Sequence, residues 1–97
     1  MNVVIKPSSK RGKKLDAVFP DGKVVSFGAK GYEDFTTHKD PARKKRYLAR
    51  HSDDPTSIKS AGELSRSILW SKPSLSEAVQ YASKKHGVRI QLDGRLR

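Results

Sequence analysis

His38 and His51 bracket the densest group of ionisable side chains in the chain, the stretch YEDFTTHKDPARKKRYLARH from Tyr32 to His51. Two kinds of chemistry are open to that inventory. His38 with Asp34 and Asp40 has the residue types of a small metal-dependent nuclease, in which a carboxylate orients a histidine or holds a divalent ion. The two histidines fall short of a zinc centre, because the further ligands would have to come from scattered carboxylates. The other chemistry is electrostatic. Lys39, Arg43, Lys44, Lys45, Arg46 and Arg50 crowd positive charge into the same stretch, with Asp40 opposing them. Such a cluster repels itself unless something anionic sits opposite, most often a phosphate backbone. A second cationic group, Lys10, Arg11, Lys13 and Lys14, lies upstream and suits a loop gripping the same ligand. These ten residues are the candidate polyanion site; no catalytic residue, metal or cofactor is assigned.

Composition agrees with binding. The chain has 97 residues, a formal net charge of +11 and no cysteine, with a pI near 10.2. That balance favours nucleic acid, an anionic membrane surface or an acidic protein over a neutral small molecule. No apolar run approaches the ~20 residues of a membrane span, and MNVVIKPSSKRGKK lacks the apolar core of a signal peptide, so a soluble protein made in the cytoplasm is expected. Without cysteine there are no disulfides or thiolate metal sites. Gly28-Ala29-Lys30-Gly31 has the outline of a backbone-clamping GXXG loop but follows a strand, so it reads as a simple turn. The spacing of a nucleotide-binding P-loop does not occur.

The elements that position these residues follow from local pattern. Val3-Val4-Ile5 reads as a strand, and residues 7–14 as a flexible basic loop. Leu15 to Phe19 and Val24 to Phe27 flank Pro20-Asp21-Gly22-Lys23, a hairpin turn whose Asp-Gly pair tolerates positive φ. Leu15, Ala17 and Phe19 share a face with Val25 and Phe27, so one side of the hairpin covers a core. Asp40 and Pro41 supply an N-cap and a first helical residue for a basic helix to about Arg50, anchored to the core by Tyr47. Ser60 to Glu63 and Ser74 to Glu77 match the reciprocal capping box, predicting helices from Ala61 to Trp70 and from Leu75 to His86. Gly87 stops the second. Val88 to Leu92 alternates as a last strand, and residues 93–97 form a basic tail. One domain over residues 1–97 is predicted, α+β in class: a two- or three-stranded antiparallel hairpin sheet packed by about three short helices, with the seven aromatic rings supplying much of a thin core and Trp70 among them.

The order of motifs resembles a family of small basic proteins, largely uncharacterised, of large double-stranded DNA viruses. Phe27, Gly28, Tyr32, Asp34, Phe35, Thr36, His38, Lys39, Asp40, Arg43, Lys44, Tyr47, Arg50 and His51 carry the first block of that resemblance. Ala61, Gly62, Ser65, Arg66, Leu69, Trp70, Lys72, Pro73 and Leu75 carry the second. Glu63-Leu64 and Ser71 depart from it. The resemblance implies a viral origin and a place in the virion, but no activity and no catalytic residue. The expectation is a non-enzymatic virion protein that binds DNA with low sequence specificity, or acidic surfaces of neighbouring virion proteins. One alternative is a minor capsid or cement protein with protein contacts only; the other is a nuclease centred on His38.

Overall fold

A computed structural model describes residues 1–96. Its sheet has four strands, β1 (Asn2–Pro7), β2 (Lys13–Val18), β3 (Val24–Ala29) and β4 (Arg89–Leu92), in the order β3-β2-β1-β4. The hairpin is where the turn chemistry put it: the Phe19 amide donates to the Lys23 carbonyl at 2.9 Å, and Val18 pairs with Val24. Alternation then sends Val3, Ile5, Leu15, Ala17, Phe19, Phe27 and Ile90 to one buried face. Leu64, Ile68, Leu69, Trp70, Val79 and Ala82 from the helical half complete that core. The fold is a two-layer α+β domain.

The sheet differs from the antiparallel one expected. β4 runs parallel to β1, with Asn2 opposite Arg89 and Ile5 opposite Leu92. The cause is the route of the chain after the last helix, α4 (Leu75–His86), which packs against β4. Gly87 adopts a left-handed φ of 63° and turns the chain, after which the Arg89 amide meets the Met1 carbonyl at 3.0 Å and the Asp93 amide meets Ile5 at 2.7 Å. The strand thus enters at the same end as β1 and runs alongside it.

The predicted flexible loop at residues 7–14 is a tight turn. Pro7 belongs to β1 and Lys13 and Lys14 to β2, while Ser8 N–H donates to Lys14 O (3.0 Å) and Lys13 N–H to Lys10 O (3.2 Å). Strand pairing continues to the turn and leaves little free chain. Nor do Gly28 and Ala29 belong to the turn read at 28–31; both lie inside β3, Gly28 at φ 78°, where an added Cβ would stand 2.7 Å from Leu69 Cδ1. The backbone must pass that close for Leu69 to reach the sheet, which only glycine allows at this φ. The C-terminal tail is a 3₁₀ turn, Gly94–Leu96, with Leu96 packed on the core and Arg95 bonded to Asp93. Arg97 lies outside the described residues.

The helical half begins with α1 (Phe35–His38) and α2 (Pro41–Arg50). α3 (Ala61–Leu64) passes into a π-helical segment, Ser65–Leu69, in place of one regular helix to Trp70. Ser67 Oγ donates to the Glu63 carbonyl (2.7 Å) and Ser71 Oγ to the Ser67 carbonyl, so hydroxyls occupy acceptors that helix amides would otherwise take. The aromatic core is smaller than composition suggested. Phe19, Phe27, Phe35 and Trp70 are buried, whereas Tyr32 and Tyr81 are exposed.

Candidate functional site

α2 is the basic helix, and it buries no residue fully. Its start is as predicted: Asp40 caps the amides of Ala42 (2.9 Å) and Arg43 (3.4 Å), with Pro41 at the first position. What holds it down is a column of rings. Tyr47 lies parallel to Trp70 with centroids 4.1 Å apart, and His51 stacks on Tyr47 at 4.2 Å. The Tyr47 hydroxyl also pairs with Ser65 Oγ at 3.0 Å. Burial raises the Tyr47 phenol above its ordinary pKa, and the Ser65 contact offsets this only in part. Arg43, Tyr47 and Arg50 are spaced to share one helix face.

That face forms one wall of a cleft of about 430 Å³ whose other wall comes from β2 and β3. Lys13 and Lys14 line it from the sheet, Arg43 and Arg50 from α2, and Leu69 and Trp70 lie deeper. The two cationic segments, read separately in the sequence, therefore meet across one hollow. Carboxylates temper part of the charge. Lys14 Nζ is 2.6 Å from Asp34 Oδ2, a buried group that also caps α1 by accepting from the amide and hydroxyl of Thr36. Arg43 reaches Glu33 at 3.6 Å, but both side chains are exposed, so that pair is weak. Lys13 and Arg50 make no ion pair among the described residues.

The remaining cations of the two basic segments divide by role. Lys39 Nζ donates to the carbonyls of Thr36 (3.0 Å) and Pro73 (2.7 Å), tying α1 to the segment before α4. Lys44 Nζ donates to Ser71 O at 2.6 Å and sits 4.9 Å from the Phe35 ring centre, so it serves the packing of α2. It also lines a second hollow of about 220 Å³ with Leu48, Arg66, Lys72, Tyr81 and Lys85. Lys10, Arg11, Lys45 and Arg46 are exposed and line neither hollow. Tyr32 in the larger hollow and Lys72 and Lys85 in the smaller stand outside the ten sequence-predicted cations. The signal for Tyr32 was its place between a glycine turn and the cap of α1; for Lys85 it was the basic last turn of α4.

The histidines do not act as a pair. His38 contacts Trp70 at 5.2 Å, whereas His51 contacts Tyr47 and bonds Asp54 Oδ2 through Nδ1 at 2.9 Å. His38 Nδ1 accepts from the Asp40 amide at 2.9 Å, and its Nε2 is buried without a hydrogen-bond partner. In the neutral ring that leaves Nε2 as the protonated nitrogen. His38 lines neither hollow.

Glu63 departs most from its predicted role. Ser60 Oγ does accept from the Glu63 amide (3.2 Å), but the carboxylate does not reach back to complete the box. It is fully buried and gathers Arg66 at 2.8 Å, Lys85 at 2.9 Å and His86 Nε2 at 2.7 Å. Burial pushes its pKa up, but hydrogen bonds from Lys85, Arg66 and His86 outweigh this and hold it below the ordinary glutamate value. The reciprocal box stands instead at α1, where Asp34 accepts from Thr36 and Thr37 Oγ1 accepts from the Asp34 amide at 3.0 Å. An Asp-x-x-Thr pair does not display the usual Ser-x-x-Glu pattern.

No curated protein and no solved structure matches this chain. A family model does match, over residues 3–51, which span β1 to the end of α2 and include both cationic walls of the larger cleft. With half its length matched, the chain belongs to a family of unknown function, DUF5754.

Proposed function

We propose that this chain is a non-enzymatic nucleic-acid-binding protein and that the cleft between α2 and the β2–β3 pair is its site. One observation carries the reading: cations from two segments far apart in sequence face each other across a single hollow, and Lys13 and Arg50 stand there without a carboxylate partner among the described residues. Fixed positive charge held at the start of β2 and on a capped helix is suited to phosphates. Base preference is low on this reading, because the sequence holds no dedicated base-reading motif. In keeping with the viral resemblance, we place the protein in the virion of a large DNA virus, made in the host cytoplasm, with DNA as partner. The surroundings of His38, with Nδ1 engaged and Nε2 buried, support a binding role over a catalytic one.

The test is salt dependence. Each duplex phosphate neutralised contributes a slope of about −0.9 to the logarithm of affinity against the logarithm of salt, and about −0.7 on single strands. The triple variant Lys13→Gln, Arg43→Gln, Arg50→Gln is expected to flatten the slope by about 2 to 3 if each residue meets one phosphate. An unchanged slope would remove the cleft from the proposal.

A further inference from the structure

We infer that the cleft receives an unpaired nucleobase, so that the working ligand is a single-stranded nucleic acid; this rests on the polyanion reading above and deepens it. Shape is the first argument. The site is a hollow of about 430 Å³, within the roughly 300–1,000 Å³ of pockets that enclose small molecules. A duplex offers a convex cylinder of phosphates with its bases stacked inside, and so cannot fill it. A flexible strand can turn one base inward while its phosphates stay at the rim.

The lining is the second argument. Tyr32 stands on the cleft at 74% exposure, the most exposed large hydrophobic side chain among the described residues. Deeper in, Trp70 and Tyr47 are already stacked on each other at an interplanar angle of 3°, and His51 stacks on Tyr47 as well. Tyr32 has no ring or cation stacked on it among the described residues. Aromatic stacking of this kind accepts any base, because every base has a π-face.

The position of charge is the third. Lys13 lies on the sheet side and Arg43 and Arg50 on the helix side, so cations border the hollow from both walls. Phosphates flanking an inserted base would pass over those walls.

The experiment compares a thymidine homopolymer, a DNA duplex of equal length and heparin, a polyanion without bases, at one salt concentration. The homopolymer is expected to bind tightest and to quench the fluorescence of Trp70, the sole tryptophan, while heparin leaves that fluorescence unchanged. Tyr32→Ala is expected to weaken homopolymer binding by roughly 5- to 150-fold, the worth of one stacked base, with duplex and heparin affinities unchanged. Tyr32→Phe, which keeps the ring, is expected to bind as the unaltered protein does. Equal affinity for all three probes, with Tyr32→Ala without effect or lowering all three alike, would overturn the base pocket and leave the polyanion reading standing. Failure of all three probes to bind the unaltered protein would overturn both.

Discussion

Around Glu63 and around α2 the chain concentrates positive charge in two different settings. At Glu63 a buried carboxylate came first, in the physical sense that it cannot be left alone in a low-dielectric interior, and Arg66, Lys85 and His86 converge on it. At α2 the cations border a hollow, and the carboxylates beside them answer part of the charge: Asp34 pairs with Lys14 at 2.6 Å while capping α1, and Glu33 reaches Arg43 at 3.6 Å from an exposed position. The first setting resolves its electrostatics within the fold. The second leaves a field directed at solvent, where a polyanion can answer it. A run of lysines and arginines therefore does not by itself mark a site; what lies against each charge does. Lys44 makes the point from inside the run, since its ammonium is taken up by Ser71 O and the Phe35 ring.

The sharpest way to break the contrast is Glu63→Ala. Removing one partner of a buried ionic group costs about 3–5 kcal/mol, because the cations left behind have lost their counter-charge. Total stability of a domain this small lies towards the low end of about 5–15 kcal/mol, so much of the protein is expected to unfold. Urea unfolding measures it. A loss under about 1 kcal/mol is the worth of an exposed ion pair and would make the two settings alike.

Acid titration makes the same comparison more gently. The Glu63 pKa is held below its ordinary value in the fold, outweighing the upward push of burial through bonds from Lys85, Arg66 and His86. A carboxylate depressed in this way contributes stability that is whole above the unfolded value, about 4.3, and is lost as pH falls below it through the folded value. Thermal melts from pH 6 downward are expected to stay level until the ordinary glutamate range and then fall. The fall should be shallower in Glu63→Gln, which has no such proton to take up. Equal slopes in the two proteins would assign the acid loss to other carboxylates.

Much of this architecture was legible because it is local. Asp40-Pro41 announced α2, Pro20-Asp21-Gly22-Lys23 announced the hairpin, and the alternation of Leu15, Ala17 and Phe19 announced the buried face. The pairing of β1 with β4 was not, since its partners lie at opposite ends of the chain and no neighbouring residue encodes which edge a strand joins. Glu63 misled for a related reason. The spacing Ser60 to Glu63 satisfies a capping box, yet Glu63 to Arg66 is also a helix-face pair, and burial beneath α4 decided between them. The types and positions of the clustered cations were readable, but their division between cleft, packing and open solvent depends on how β2 and α2 are brought together. Spacing alone pairs Arg46 with Arg50 on one helix face, yet it is Arg43, Tyr47 and Arg50 that turn to the cleft, while Arg46 lines neither hollow.

The smallest expected effect is the stability change in Arg50→Gln, and it tests the open side of the comparison. Arg50 lies in the last turn of α2, where a cation gains about 0.3–1 kcal/mol from the negative end of the helix. It also stands four residues from Arg46, a like-charge spacing that costs about 0.2–0.5 kcal/mol. The two terms oppose each other, and Arg50 has no carboxylate partner among the described residues to add a third. The net change is expected to lie within about 0.5 kcal/mol, the ordinary range for a surface substitution. A cost above about 1 kcal/mol in urea unfolding would mean that Arg50 already has its counter-charge inside the fold. It would then belong with Arg66 and Lys85, and the cleft would lose one of the two cations that leave its field unanswered.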